Sequence, residues 1–222
     1  MMGFLIEGGH AGLTHDSVDA FKWFKLAADQ NNPLALNTVG SCYFNGDGVQ
    51  QDFKKAFEYY ERAAALKCSD ALVNLGRMYE YHLVPVDDAF DTSIQKRNAR
   101  KAIECFDEAA ELDDPRGCLN AAIFYQKGLL DGVPQLFKSW QLFRKGIALG
   151  DILCMVNVAK MYDSGVIQKL GDGISTKVVA QDYRCCFRTG QVHRHLLTLL
   201  GSEAFKHYRM AFEAGCEDSD VM

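Results

Sequence analysis

The chain has 222 residues, 48% hydrophobic and 24% charged, with four prolines and a formal net charge of -5. That balance is ordinary for a folded chain and excludes collagenous, proline-rich and highly charged disordered classes. No stretch approaches the ~20 apolar residues of a membrane helix, and the run Phe4-Leu5-Ile6 before Glu7 is too short for a secretory signal. Eight cysteines, at positions 42, 68, 105, 118, 154, 185, 186 and 216, share no recurring interval. They read as reduced, mostly buried apolar residues rather than a disulfide framework, which favours a cytoplasmic location.

In chain order, residues 1–7 read as a truncated opening segment. Gly12 then opens a turn, Asp16 stands where a helix N-cap is wanted, and Ala20, Phe21, Trp23, Phe24, Ala27 and Ala28 follow at helical spacing. The whole set recurs 36 residues later as Gly48, Asp52, Ala56, Phe57, Tyr59, Tyr60, Ala63 and Ala64. Such self-similarity marks one continuous repeat array. Before each such helix lies another, marked by a small residue and then a tyrosine three places on: Gly40 and Tyr43, Gly76 and Tyr79, Ala122 and Tyr125, Ala159 and Tyr162. A glycine inside a helix costs about 1 kcal/mol against alanine, so close helix crossing is expected there. Gly46, Gly128 and Gly165 follow the tyrosine by three, where a helix C-terminus favours a left-handed residue. His82 takes that place in the third unit and reads as a helix-end residue.

Each unit is therefore a helical hairpin that must stack on its neighbours to bury its apolar face. The third carries ten extra residues around Val84 to Lys96, ahead of Ala102, Ile103, Phe106, Ala109 and Ala110. The fourth has Asn120, Ala122, Tyr125 and Gly128, then Ser139, Trp140, Phe143 and Gly146. A fifth opens at Asn157 and is expected to use Val178 to Thr189 as its second helix. A last, imperfect unit spans Val192 to Phe212, and residues 217–222 form a frayed acidic tail. Between Lys177 and Arg209 six Lys/Arg face two acids, making a basic pole in an acidic chain.

The segments Ala71-Leu-x-Asn74-Leu-Gly76-x-x-Tyr79 and Gly46-Asp-Gly48-Val49-x-x-Asp52-x-x-Lys55-Ala56-Phe57-x-Tyr59-Tyr60-x-x-Ala63-Ala64 resemble the Sel-one-like repeat family, cousins of tetratricopeptide repeats. The resemblance spans nearly the whole chain and implies an all-α fold, a right-handed α/α superhelix (solenoid) of about five to six antiparallel helix-pair repeats over residues 8–216. It also implies a concave face, a scaffold or adaptor role and no common catalytic site. The regularly placed cysteine pair of some secreted relatives is missing here.

No phosphate loop, dinucleotide fingerprint or nucleophile elbow appears. Cys185, Cys186, His193 and His195 are residue types that bind zinc, but adjacent helical cysteines diverge, and no metal site or cofactor is expected. His10 and His15 read as surface turn residues. Asn74, Asn120 and Asn157, with Thr38 as the fourth member, share one slot. They either hydrogen-bond an extended peptide in the groove or satisfy a turn carbonyl. Around them Ser41, Val73, Arg77, Leu119, Ile123, Val156 and Lys160 are candidates for the partner-binding concave surface, a mixture suited to a peptide or helix. Phe21, Trp23 and Phe24 are expected at an incompletely covered end that packs on another chain or on a missing part of this one. The functional expectation is a non-enzymatic scaffold for a protein or peptide partner, without membrane and in preference to nucleic acid. The alternative is a regulatory repeat domain or subunit of a larger enzyme or assembly.

Overall fold

The structure is a computed structural model that describes residues 16–84 and 92–164. The opening segment, the fifth unit's second helix, the imperfect last unit, the basic pole and Cys185, Cys186, His193 and His195 lie outside those residues. Among the described residues every regular element is an α-helix: α1 Ser17–Asp29, α2 Pro33–Asn45, α3 Phe53–Ala65, α4 Ser69–Glu80, α5 Thr92–Glu111, α6 Pro115–Lys127, α7 Leu136–Ala148 and α8 Ile152–Asp163. The chain divides into two compact units, Met1–Leu112 with α1 to α5 and Asp113–Met222 with α6 to α8. Within the first unit α2 pairs with α3 and α4 with α5, and α1 packs on α2 and α3 on α4; in the second, α7 packs on both α6 and α8.

The expected caps are present. Asp16 accepts from the amides of Val18 and Asp19, and Asp52 from that of Lys55 at 3.0 Å. Gly46 (φ 86°) and Gly128 (φ 64°) end α2 and α6 in the left-handed conformation. His82 adopts the same conformation at φ 55° although it carries a side chain.

The glycines inside α2 and α4 are explained by aromatic rings. A Cβ added to Gly40 would stand 2.7 Å from the Tyr60 ring, and one added to Gly76 would stand 2.5 Å from the Phe106 ring. Both rings are buried. The missing methyl group is what lets each second helix lay its ring against its partner's backbone.

A second junction, between each hairpin and the next, was not foreseen. Asn31, Lys67, Asp113 and Gly150 share one slot, and all have φ between 58° and 90°. The following amide reaches back five residues: Asn32 to the Ala27 carbonyl at 3.3 Å, Cys68 to Ala63 at 3.2 Å and Asp151 to Gly146 at 2.9 Å. This bond closes the helix end. Asn32, Asp114 and Asp151 then cap the next helix with their side chains.

The three non-glycine members of the slot also clasp the second helix of the next hairpin. Arg62 donates to Asn31 at 3.1 Å, Lys67 to Glu108 at 2.6 Å and Lys145 pairs with Asp113 at 2.8 Å. The partners Arg62, Glu108 and Lys145 are themselves in one register, with the charges exchanged between repeats.

The insertion in the third hairpin needs correction. Part of it is helix: α5 starts at Thr92 and runs 20 residues, against 13 in α3. The slot of the cap residue Asp52 falls on Asn98, now inside the helix, 1% exposed and without a hydrogen-bond partner for its side chain.

Two outcomes follow. Gly76→Ala should destabilise the protein by about 1 to 3 kcal/mol through the clash with Phe106, and Phe106→Leu in the same chain should return part of the loss. Urea unfolding followed by circular dichroism reads both, and an unchanged midpoint for Gly76→Ala would refute the ring-on-glycine contact. The Asp52 carboxyl is held below its ordinary value, first by the Lys55 amide. Its contribution is therefore present above the unfolded pKa and is lost as pH falls through the folded one. Asp52→Asn, which caps at any pH, should flatten the acid limb of the stability profile below about pH 4.

Candidate functional site

The repeat register sorts the candidate residues into three columns. The first holds Asn37, Val73, Leu119 and Val156; the second Thr38, Asn74, Asn120 and Asn157; the third Ser41, Arg77, Ile123 and Lys160. The first column turns partly inward. Val73 is 4% and Val156 7% exposed, so both are core residues and not part of an open surface. Leu119, Asn120, Ile123 and Asn157 are half-buried, and Arg77 and Lys160 are exposed. One further turn along the same face lie Asn45, Tyr81, Lys127 and Ser164, all exposed. The sequence reading missed these four, although the i, i+3, i+7 spacing from Asn74 through Arg77 leads directly to Tyr81.

In the first unit this stripe lines a pocket of ≈ 300 Å³, bounded by Ser41, Phe44, Asn45, Tyr60, Asn74, Arg77, Met78, Tyr81 and Leu83. Its polar groups are ordered by their neighbours. Ser41 Oγ donates to the Asn37 carbonyl at 3.2 Å and lies 3.1 Å from the Tyr60 hydroxyl. Because the serine has one proton, the tyrosine is the donor in the second bond. Burial pushes the Tyr60 phenol up, opposed by the Ser41 hydroxyl and the Arg77 charge, and it stays protonated at neutral pH. The Arg77 guanidinium lies 6.0 Å from the Tyr81 ring and has no carboxylate partner among the described residues.

The asparagine slot matches neither expected role uniformly. Asn74 Nδ2 donates to Asn37 Oδ1 at 3.0 Å, joining α4 to α2. Asn157 Nδ2 and Thr38 Oγ1 donate to carbonyls of their own helices, those of Leu153 and Leu34. The expected turn carbonyl is not the acceptor in any of these three.

At α1 the end-contact residues separate. Phe24 is 4% exposed and is corrected to core. Phe21 is half-buried and meets Tyr43 edge-on at 5.5 Å. Trp23 is 46% exposed. Its counterpart one repeat on, Tyr59, stacks on Tyr43 at 5.6 Å between Lys25 and Arg62.

A recurring cation–ring contact braces the hairpins: Lys55 Nζ sits 5.3 Å from the Tyr43 ring and Lys138 Nζ 4.0 Å from Tyr125. Cys42, Cys68, Cys105, Cys118 and Cys154 are free and buried. Burial pushes the Cys105 thiol up to about 12 and Cys118 up to about 11, and raises Cys154 as well, so these three are thiols and not thiolates at neutral pH. Among the described residues no three metal-ligating side chains converge.

The helix boundaries agree with the matches to the Sel1 repeat family, which cover residues 1–32, 33–68, 69–89, 92–114, 115–151 and 201–216. Those starting at 33 and 115 coincide with the first residues of α2 and α6, and that at 69 with α4. Chitin synthase regulatory factor 3 of Schizosaccharomyces pombe is 23% identical over 194 residues, which is 82% of this chain and 20% of that protein. The ERAD-associated E3 ubiquitin-protein ligase component HRD3B of Arabidopsis thaliana is 33% identical over 99 residues, 44% of this chain and 15% of that protein. The chain thus spans a fifth or less of either relative. A Sel1 repeat protein from Oxalobacter formigenes has the same fold, with a TM-score of 0.65 at 24% identity, covering 96% of this chain and 85% of that one. Hairpins of fixed register, a glycine under an aromatic ring in each of the first unit's two complete pairs, and family matches over more than half of its length show that the chain belongs to the Sel1 repeat family.

Proposed function

We propose that the chain is a non-enzymatic interaction module that holds a segment of a protein partner on the outward stripe of its first helices. Sel1 repeat proteins are in general protein-interaction scaffolds, and their fold is typically non-catalytic. The observation that carries the finer reading is the contrast between columns. The residues that pack the hairpins repeat closely in type, whereas the slot of Ser41, Arg77, Ile123 and Lys160 offers four different chemistries, half-buried or exposed, in one register. A stripe of mixed polar and apolar groups suits an extended peptide or an amphipathic helix. The free, buried thiols support a cytoplasmic setting.

A second reading, that this is the regulatory repeat part of a larger enzyme or assembly, draws on the relatives. One is named as a regulatory factor and one as a ligase component, and the chain spans only 20% and 15% of them.

Replacing Arg77, Ile123 and Lys160 together should abolish partner capture from native extract while leaving helicity unchanged, as read by mass spectrometry and circular dichroism. Undiminished capture by the folded triple variant would remove the stripe as the site. For a partner seated at the α1 end, Trp23→Ala should weaken association and leave the unfolding midpoint near that of the parent chain; equal binding by Trp23→Ala would exclude that end.

A further inference from the structure

We propose that the pocket of the first unit receives an acidic side chain of a protein partner, an internal Asp or Glu next to a bulky apolar residue. This deepens the interaction reading and rests on it. The chain carries a net charge of -5, yet the stripe positions are free of acids. Those in the first unit are Thr38, Ser41, Asn45, Asn74, Arg77 and Tyr81; the second unit adds Lys127 and Lys160 on its own stripe. Arg77, Lys127 and Lys160 have no ion-pair partner among the described residues. Several cations off the stripe are paired: Lys22 with Asp19, Lys55 with Asp52, Lys67 with Glu108, Lys101 with Glu104 and Lys145 with Asp113. No acid is among the residues that line the pocket; Asp47, two residues beyond Asn45, accepts from Asn45 Nδ2 at 3.1 Å.

The pocket chemistry favours a carboxylate over other occupants. The protons of Ser41 and Tyr60 are committed to Asn37 and Ser41; Tyr81 and the second amide protons of Asn45 and Asn74 are neutral donors, and the guanidinium is the one charged donor among the lining residues. Its planar fork matches a carboxylate. Beside it Phe44, Met78 and Leu83 supply an apolar wall, and ≈ 300 Å³ holds more than one side chain. An acid flanked by an apolar residue fills both halves at once.

The test uses the whole chain and arrays of N-acetylated, C-amidated decapeptides, randomised around a fixed Glu-Leu pair or a fixed Gln-Leu pair. The tightest Glu-Leu peptide is then titrated in solution. The expected results are at least about tenfold weaker binding when its Glu becomes Gln, the same loss with Arg77→Gln, and weakening as salt is raised. Shifts of the Arg77 and Asn74 side-chain resonances should accompany binding. Arg77 is exposed, so Arg77→Gln should keep the parent urea midpoint. Peptides that bind without regard to charge, or equally to Arg77→Gln, would overturn the carboxylate assignment and leave the interaction module standing. Failure of both arrays would overturn both. Binding regained by Gln-Leu peptides bearing a free C-terminus would assign the pocket to a chain end instead, against the proposal. A homodimer dissociated by Arg77→Gln would assign it to a second copy.

Discussion

The distance between the two helices of a pair is set by an aromatic ring lying on a glycine, and the candidate site depends on that distance. Gly40 and Gly76 each forgo about 1 kcal/mol of helix propensity. In exchange Tyr60 and Phe106 come so close that an added Cβ would meet ring carbons at 2.7 and 2.5 Å. A buried aromatic side chain contributes roughly 1.5 to 3 kcal/mol, which exceeds the glycine penalty. The next residue along each helix is rotated by about 100° and belongs to the outward stripe. Where the ring is Tyr60, its hydroxyl emerges beneath Ser41 and orders it at 3.1 Å. Where the ring is Phe106, no hydroxyl is supplied beneath Arg77. The hydroxyl of the second helix thus adds a tie to Ser41, beyond its bond to the Asn37 carbonyl, that Arg77 does not receive from Phe106.

The junctions between hairpins follow a different logic. A left-handed residue costs roughly 1 to 2 kcal/mol when it bears a side chain, and glycine would avoid that cost, as Gly150 does. Asn31, Lys67 and Asp113 accept it while making a polar contact with the next second helix, and the reach-back amide bond closes the helix end at Asn32 and Cys68. The clasps are exposed and each is worth about 0 to 1 kcal/mol. They do not offset the strain alone; the two-residue spacing from one helix end to the next cap is what requires the conformation.

Most of the packing was legible in the sequence because it repeats in residue type: the small residue, the tyrosine, the capping aspartates and the terminal glycines all recur at a fixed offset. The clasps were not legible because their identity changes while their register stays. Arg with Asn, Lys with Glu and Asp with Lys share no composition signal. The longer α5 was hidden for a similar reason. Asn98 in the cap slot looks like a helix start, yet the helix begins at Thr92 and runs through it. Val73, Val156 and Phe24 were misplaced because helical periodicity gives a face and not its depth; on a stacked helix two faces are covered, and one column more is buried than a lone amphipathic helix would bury.

The stripe is the part of the repeat on which packing makes the weakest demand, so sequence periodicity locates its register without fixing its residue types. Freedom from packing is not sufficient for recognition, however. Lys160 and Arg77 occupy the same slot, but Arg77 stands beside a pocket walled by Phe44, Met78 and Leu83. A charge pair of given separation is stronger where apolar walls lower the effective dielectric than on an open helix. An ion pair at an exposed lysine yields little after side-chain ordering and salt screening. Equal charges in equal register are therefore unequal as sites, and the difference comes from the neighbouring helix: Phe44 of α2 is what turns the exposed cation of α4 into one wall of a pocket.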